Sequence, residues 1–217
     1  MIPKLQVALD NLSLKDALKS LKEYGNIIDV IEVGTILHVS EGLEPIRFLR
    51  ILYPEKIILA DIKGADAGSI LAKQCFDAGA TWMTAICCAD IQTMKSMLKV
   101  SKEYEEDKDI QIELYGDWTF ERAKIWKEAG LKQVVYHRSR DAELSGKDWS
   151  DEDLIKIKKL CDMDFKVTVT GGLKVENLKL FKNLPIYCFI AGRGIREAKN
   201  PKQMAMNFKE EIKKYWK

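Results

Sequence analysis

Eight short apolar runs, each followed by a stretch with helical patterning, limit what this chain can fold into more than any other feature. The runs lie at residues 5–9, 30–33, 57–60, 82–87, 110–114, 133–136, 165–169 and 186–191. Their β-branched and aliphatic content reads as strands, and the intervening segments carry helix start and stop signals. Ser13 with Asp16 forms a capping box, as does Ser150 with Asp153, and Asp90 and Asp117 sit at cap positions. Gly25, Gly79 and Gly130 fall where helices should end, and an amphipathic tail over 201–216 opens on Pro201. Eight β–α units in 217 residues fit a compact single-domain (β/α)8 TIM barrel of the α/β class, spanning 1–217. An open dinucleotide-binding sheet is disfavoured, because no G-x-G-x-x-G follows the first strand.

Charge and cysteine content exclude several classes of function. Lys+Arg 35 against Asp+Glu 33 leaves a formal net charge of +2 with no block of like charge. That argues against a nucleic-acid partner and against a membrane surface. The first residues run straight into a strand without a secretory pattern, and no apolar stretch approaches transmembrane length. Five cysteines, with Cys87 and Cys88 adjacent and no C-x-x-C, read as reduced thiols of a cytoplasmic protein. With two histidines at no ligand spacing, zinc is not expected.

In a barrel of this kind the active site is built at the C-terminal ends of the strands. Asp10 ends the first strand, Glu32 lies on the second, and Asp61-Ile-Lys63-Gly-Ala-Asp66 follows the third. Glu113 lies on the fifth, His137 and Arg140 follow the sixth, Thr170-Gly171-Gly172 ends the seventh, and Gly192-Arg193-Gly194 ends the eighth. Alternation places Gln6 and Ala8 on the face of Asp10, Gln111 with Glu113, and Thr168 with Thr170. Asp61 and Lys63 should share a face if the extended conformation continues past the strand. A lone D-x-K-x-x-D reads equally well as a solvated ion pair, and Asp10 or Glu32 alone as a carboxylate accepting loop N–H groups. Polar groups converging from many strands on one mouth do not read that way.

Two carboxylates on adjacent strands repel unless a cation or proton lies between them. The oxygen-only pair Glu32 and Asp61 suits Mg²⁺, with Lys63 as a fixed charge beside it. The glycine clusters on the last two strands fall where barrels bind phosphate through backbone N–H groups, and Arg193 adds a charged contact. His137 is the candidate functional histidine. His38, read as part of a loop, is assigned to surface or packing. Trp82, Trp118, Trp126 and Trp149 are scattered and read as core.

Taken together, Leu-Gln-Val-Ala-Leu-Asp10, Ile-Glu32-Val-Gly-Thr, Leu-Ala-Asp61-Ile-Lys63-Gly-Ala-Asp66, Ile-Glu113-Leu, Val-Val-Tyr-His137-Arg-Ser-Arg140-Asp, Val-Thr-Val-Thr170-Gly-Gly and Phe-Ile-Ala-Gly192-Arg193 resemble a known pattern. They are similar to the 3-keto-L-gulonate 6-phosphate decarboxylase family of the orotidine monophosphate decarboxylase superfamily. The resemblance covers essentially the whole chain. It implies a Mg²⁺-dependent homodimer that decarboxylates a phosphorylated sugar acid to L-xylulose 5-phosphate in L-ascorbate catabolism. It also implies that Asp66 reaches into the partner's site. The sister family, D-arabino-hex-3-ulose 6-phosphate synthase, shares Asp10, Glu32, the Asp61–Asp66 motif and the phosphate glycines. Glu113, the His137–Arg140 run and Thr170 favour the decarboxylase branch.

The residue types suit one intermediate. Loss of CO2 from a β-keto acid leaves an enediolate, whose charge Lys63 and a metal on Glu32 and Asp61 can offset. His137 and Arg140 are placed to deliver a proton, directly or through water. Glu113 and Thr170 are assigned to substrate hydroxyls or that water.

Overall fold

The computed structural model describes residues 1–105, 107–138, 145–146 and 148–217. Arg140, a candidate site residue, lies outside the described residues. Eight parallel strands close in sequence order into a barrel: β1 Lys4–Leu9, β2 Val30–Val33, β3 Ile57–Gly64, β4 Trp82–Ile86, β5 Asp109–Leu114, β6 Gln133–His137, β7 Lys166–Thr170 and β8 Cys188–Ile190. The pairing of β1 with β8, Lys4 opposite Cys188 through Gln6 opposite Ile190, completes the ring. Helices follow the strands, as the alternation predicts for a (β/α)8 barrel.

The strand alternation separates two environments. Leu5, Val7, Leu9, Ile31, Val33, Ile110, Ile112, Val167 and Val169 join one large apolar layer between barrel and helices. The opposite parity faces a largely polar lumen. There Gln111 Nε2 donates to Gln133 Oε1 at 2.9 Å, Gln133 Nε2 to Asp109 Oδ2 at 2.7 Å, and Gln6 Nε2 to Glu32 Oε2 at 2.6 Å. Val30, Leu59 and Trp82, with Tyr187 packed against them, plug the N-terminal end. What is left open is the C-terminal end.

Several helix ends follow the local chemistry of the sequence. Ser13 and Asp90 cap their helices, Ser150 and Asp153 form the full reciprocal box, and Pro201 opens the helix Pro201–Tyr215 behind Asn200. Asp117 does not cap: the helix Phe120–Glu128 starts later, on the Thr119 hydroxyl. His38 lies in the helix Thr35–Glu41 rather than in a loop. The eighth strand is shorter than its apolar run, because the Ile186 N–H turns back to Leu184 O.

Strand three departs most from expectation. It runs on to Gly64, but its pairing with β4 jumps from Ala60 opposite Met83 to Gly64 opposite Ala85. Two extra residues are accommodated in a bulge, and Lys63 adopts a left-handed φ of 49°. The regular extended conformation past Asp61 is therefore interrupted at Lys63.

Candidate active site

The C-terminal mouth holds a cavity of about 400 Å³. Asp10, Glu32, Asp61, Lys63, Glu113, His137, Thr170, Gly171, Gly172, Gly192 and Arg193 all line it. Strands distant in sequence thus bring together most of the candidates read from their ends. Asp66 is absent from the lining and is exposed.

One side of the mouth is a chain of charged side chains. The β3 bulge folds Lys63 back so that its Nζ lies 2.5 Å from Asp61 Oδ2 and 3.1 Å from Glu113 Oε2. Glu113 Oε1 in turn lies 2.6 Å from His137 Nδ1. Asp61 is further held by the Thr84 hydroxyl on Oδ1 at 2.8 Å and the Thr35 hydroxyl on Oδ2 at 2.7 Å, while Thr35 Oγ1 accepts from Lys63 at 2.6 Å. Gly34 leaves room for Asp10 here: an added Cβ would stand 2.1 Å from Asp10 Oδ1 and displace that carboxylate.

Burial and charge set the protonation of this cluster. Asp61 is 4% exposed, and burial works to raise its pKa. The Lys63 charge and three hydrogen bonds overcome that and hold it below the ordinary value of 3.8. Lys63 is pulled upward, because Asp61 and Glu113 outweigh its desolvation. Glu32, also buried, is pushed well above its ordinary value by burial and then by repulsion from Asp61 and Asp10. A site that forces up the pKa of one carboxylate beside two others is short of positive charge.

That deficit is the test of fit for a divalent cation. Glu32 and Asp61 offer oxygen donors only, and each oxygen retains lone-pair capacity beyond its hydrogen bonds. Among the described residues no group of three or more His, Cys, Asp or Glu forms a complete metal cage. The set suits Mg²⁺, which keeps water and substrate oxygens in most positions, better than a metal needing an all-protein shell.

The opposite side is built from backbone. Thr170 donates to Ile190 O at 3.3 Å, and the chain then turns through Gly171 at φ 112° and Gly172 at φ 59°. A Cβ on Gly171 would meet Arg138 O at 2.2 Å. Arg138 fastens this turn by donating from Nε and Nη2 to Gly171 O, at 3.2 and 2.8 Å, while its guanidinium lies 4.8 Å from the Trp149 ring centroid. Gly192 and Arg193 enter from β8 across the cavity.

Four residues at the mouth escaped the sequence reading. Thr35 and Thr84 bind Asp61, Tyr115 touches both Glu113 and His137, and Arg138 holds the Gly171 turn. Parity offered a signal for two of them. Thr84 is the polar residue of inward parity on β4, and Tyr115 is the next inward position after Glu113. Cys87, just past β4, bonds the backbone of Tyr115; burial raises its thiol pKa. Trp82 and Trp126 are core, as expected, whereas Trp118 and Trp149 are half-buried and pack edge-on or tilted against neighbouring rings.

Residues 3–208 match the profile of the orotidine 5'-phosphate decarboxylase / HUMPS family. The chain is 54% identical over 215 residues to the 3-keto-L-gulonate-6-phosphate decarboxylase UlaD of Escherichia coli, covering 99% of both chains. The solved structure of KGPDC from Streptococcus mutans superposes with a TM-score of 0.98 at 50% identity, covering 100% of both chains. A 3-hexulose-6-phosphate synthase from Salmonella typhimurium superposes with a TM-score of 0.91 at 29% identity, over 98% of this chain and 99% of that one. By its profile match and by full-length identity to a curated relative, the chain belongs to the orotidine 5'-phosphate decarboxylase / HUMPS family.

Proposed function

We infer that this protein decarboxylates 3-keto-L-gulonate 6-phosphate to L-xylulose 5-phosphate, with Mg²⁺, as a step of L-ascorbate catabolism in the cytoplasm. The observation that carries the reading is the continuous contact chain Asp61–Lys63–Glu113–His137 facing the glycine turns after β7 and β8 across one cavity. It supports a reading in which a fixed cation and a proton donor meet one end of the substrate while its phosphate is anchored at the other. The names carried by the decarboxylase relatives at 50–54% identity support this substrate over the synthase reaction, whose relative stands at 29%.

The chemistry follows from the residues. The bond between the carboxylate carbon and the hydroxyl-bearing carbon breaks, CO2 leaves, and the electron pair delocalises onto the neighbouring carbonyl oxygen as an enediolate. Lys63, kept protonated by Asp61 and Glu113, offers preorganised positive charge where that oxygen becomes negative. His137, when doubly protonated, delivers one proton to the carbanion carbon, which completes the product, and regains it from solvent. Glu113 orients His137, and Asp10 and Thr170 are assigned to substrate hydroxyls. Gly171, Gly172, Gly192 and Arg193 hold the phosphate, so binding energy remote from the reacting carbons fixes their orientation. When bound, Mg²⁺ would be held by Glu32 and Asp61 and would supply Lewis-acid charge beside the reacting oxygens.

Asp66 is assigned to the active site of a second copy of the chain. Its exposure outside the cavity of its own chain supports a homodimer with shared sites. Mixing inactive Asp66→Asn with inactive Lys63→Ala should then restore about one quarter of wild-type activity, since a C₂ heterodimer has one intact site. If the subunits exchange and the mixture stays inactive, the shared-site assignment fails.

The reaction itself is tested by measuring CO2 and pentulose 5-phosphate formed from 3-keto-L-gulonate 6-phosphate. Formaldehyde consumption with ribulose 5-phosphate is measured in parallel. Stoichiometric CO2 release as the faster activity is expected; faster formaldehyde consumption would assign the protein to the synthase reaction.

A further inference from the structure

Tyr115 stands one residue past β5, on the same parity as Glu113, and it lines the cavity. Its hydroxyl lies 2.7 Å from His137 Nδ1 and 3.2 Å from Glu113 Oε1. The two rings lie 4.6 Å apart between centroids at a tilt of 36°, and Lys63 Nζ sits 5.8 Å from the phenol ring. The backbone beneath is clamped from β4, with the Tyr115 N–H on Cys87 Sγ at 3.4 Å and the Cys87 thiol on Tyr115 O at 3.3 Å. One phenol therefore bonds Glu113 and His137 and lies beside Lys63, and its own main chain is fixed.

The hydrogen-bonding roles follow from donor and acceptor chemistry. An ionised carboxylate only accepts, so the 2.6 Å contact between Glu113 Oε1 and His137 Nδ1 requires a proton on Nδ1. The phenol proton is then directed to the same carboxylate oxygen. Burial, and after it the charges of Glu113 and Asp61, push the Tyr115 pKa upward, so the hydroxyl stays protonated across the working range. Two donors from different strands converge on one oxygen, and the phenol oxygen lies against the imidazole, closer to Nδ1 at 2.7 Å than to Nε2 at 3.4 Å.

We propose that Tyr115 is a positioning residue for His137: its hydroxyl and ring hold the imidazole with Nδ1–H on Glu113, leaving Nε2 as the nitrogen that serves the substrate. The kinetic part of this assignment rests on the decarboxylase reading; the orientation of the ring does not.

Tyr115→Phe keeps the ring and removes the hydroxyl. The chain has two histidines, so side-chain ¹⁵N spectra of the substrate-free protein separate His137 from His38. The Nδ1–H proton of His137 should exchange at least about tenfold faster in the variant than in the wild type. On the keto-acid phosphate, kcat should fall about tenfold, as expected for one hydrogen bond of about 1.4 kcal/mol, with KM within about twofold. Tyr115→Leu, which also removes the ring, should lose more in kcat. Unchanged Nδ1–H exchange in Tyr115→Phe, or faster exchange with wild-type kcat, would overturn the assignment. So would a normal Tyr115→Phe beside an inactive Tyr115→Leu, since the ring would then merely fill the mouth. Absence of CO2 release from the wild-type protein would instead refute the decarboxylase reading, with the exchange measurement still deciding the orientation.

Discussion

The two sides of the barrel mouth are made of different material. On the β2–β3–β5 side, buried side chains of opposite charge lock one another: Lys63 contacts Asp61 and Glu113, and threonines from β4 and from the helix after β2 complete the shell. On the β7–β8 side the work falls to main chain that only glycine can shape, with Gly171 at φ 112° against the Arg138 carbonyl. The first side can alter charge at a reacting atom but is costly to disturb electrostatically. The second can grip an anion but is costly to disturb sterically. In the proposed reaction, chemistry and anchoring thus fall to different physical devices, which should fail in different ways.

The largest effect should come from Lys63→Ala. Removing the preorganised charge should lower kcat by about a thousandfold or more, roughly 4 kcal/mol of transition-state stabilisation, and leave KM for the phosphorylated substrate within a few-fold. Steady-state kinetics decides this, and a kcat near wild type would remove the lysine from the chemistry.

Gly171→Ala should strike the opposite side. A Cβ 2.2 Å from Arg138 O forces the turn to move, and alanine at that φ adds about 1–3 kcal/mol of strain. The expected result is a rise in KM of roughly thirtyfold with kcat much less altered. An unchanged KM would show that this turn does not hold the phosphate.

Glu32→Gln tests the charge deficit without reference to turnover. Glu32 is held above its ordinary value of 4.5, so its ionisation opposes folding increasingly as pH rises from 4.5 towards the folded-state pKa, and by a constant amount above it. The amide should stabilise the metal-free protein by about 1 kcal/mol at neutral pH, a Tm gain of about 2–4 °C, and the difference should vanish below about pH 4.5. Asp61 has the opposite sign: its stabilisation is present above 3.8 and disappears as pH falls through its lowered folded-state pKa. Mg²⁺ should raise the Tm of the wild-type protein but not of Glu32→Gln. Equal Mg²⁺ shifts in both proteins would place the cation elsewhere.

Gly192→Ala should be the mildest. Its added Cβ meets Ala8 Cβ at 3.7 Å, an ordinary contact, so thermal unfolding should change by no more than about 0.5 kcal/mol. A loss as large as that of Gly171→Ala would mean that both glycine clusters are equally constrained.

The barrel and most of its mouth were legible in the sequence because the alternation of apolar and polar residues on β1, β5 and β7 reports which face meets the helices. The contact between Asp61 and Lys63 was legible too, but on incomplete grounds. Strand parity assumes regular extension, whereas the contact arises from a bulge that turns Lys63 left-handed. Nothing in Ile62-Lys63-Gly64 announces two extra residues against β4. Thr35, Thr84 and Tyr115 were missed because a single hydroxyl near apolar residues carries no charge pattern. Its importance appears only once the strands that it bridges are neighbours. Asp117 and Thr119 are both good caps two residues apart, and only the packing of the helix Phe120–Glu128 chooses between them.

The central claim, that the charged side and the glycine side of the mouth act independently, is tested most directly by a double-mutant cycle on kcat/KM with Lys63→Ala, Gly171→Ala and the double variant. Independent sides predict losses that add to within about 0.5 kcal/mol, with the double variant carrying both the kcat defect and the KM defect. A double variant no worse than Lys63→Ala alone, an interaction of about 2 kcal/mol, would contradict the account and make the mouth one cooperative unit.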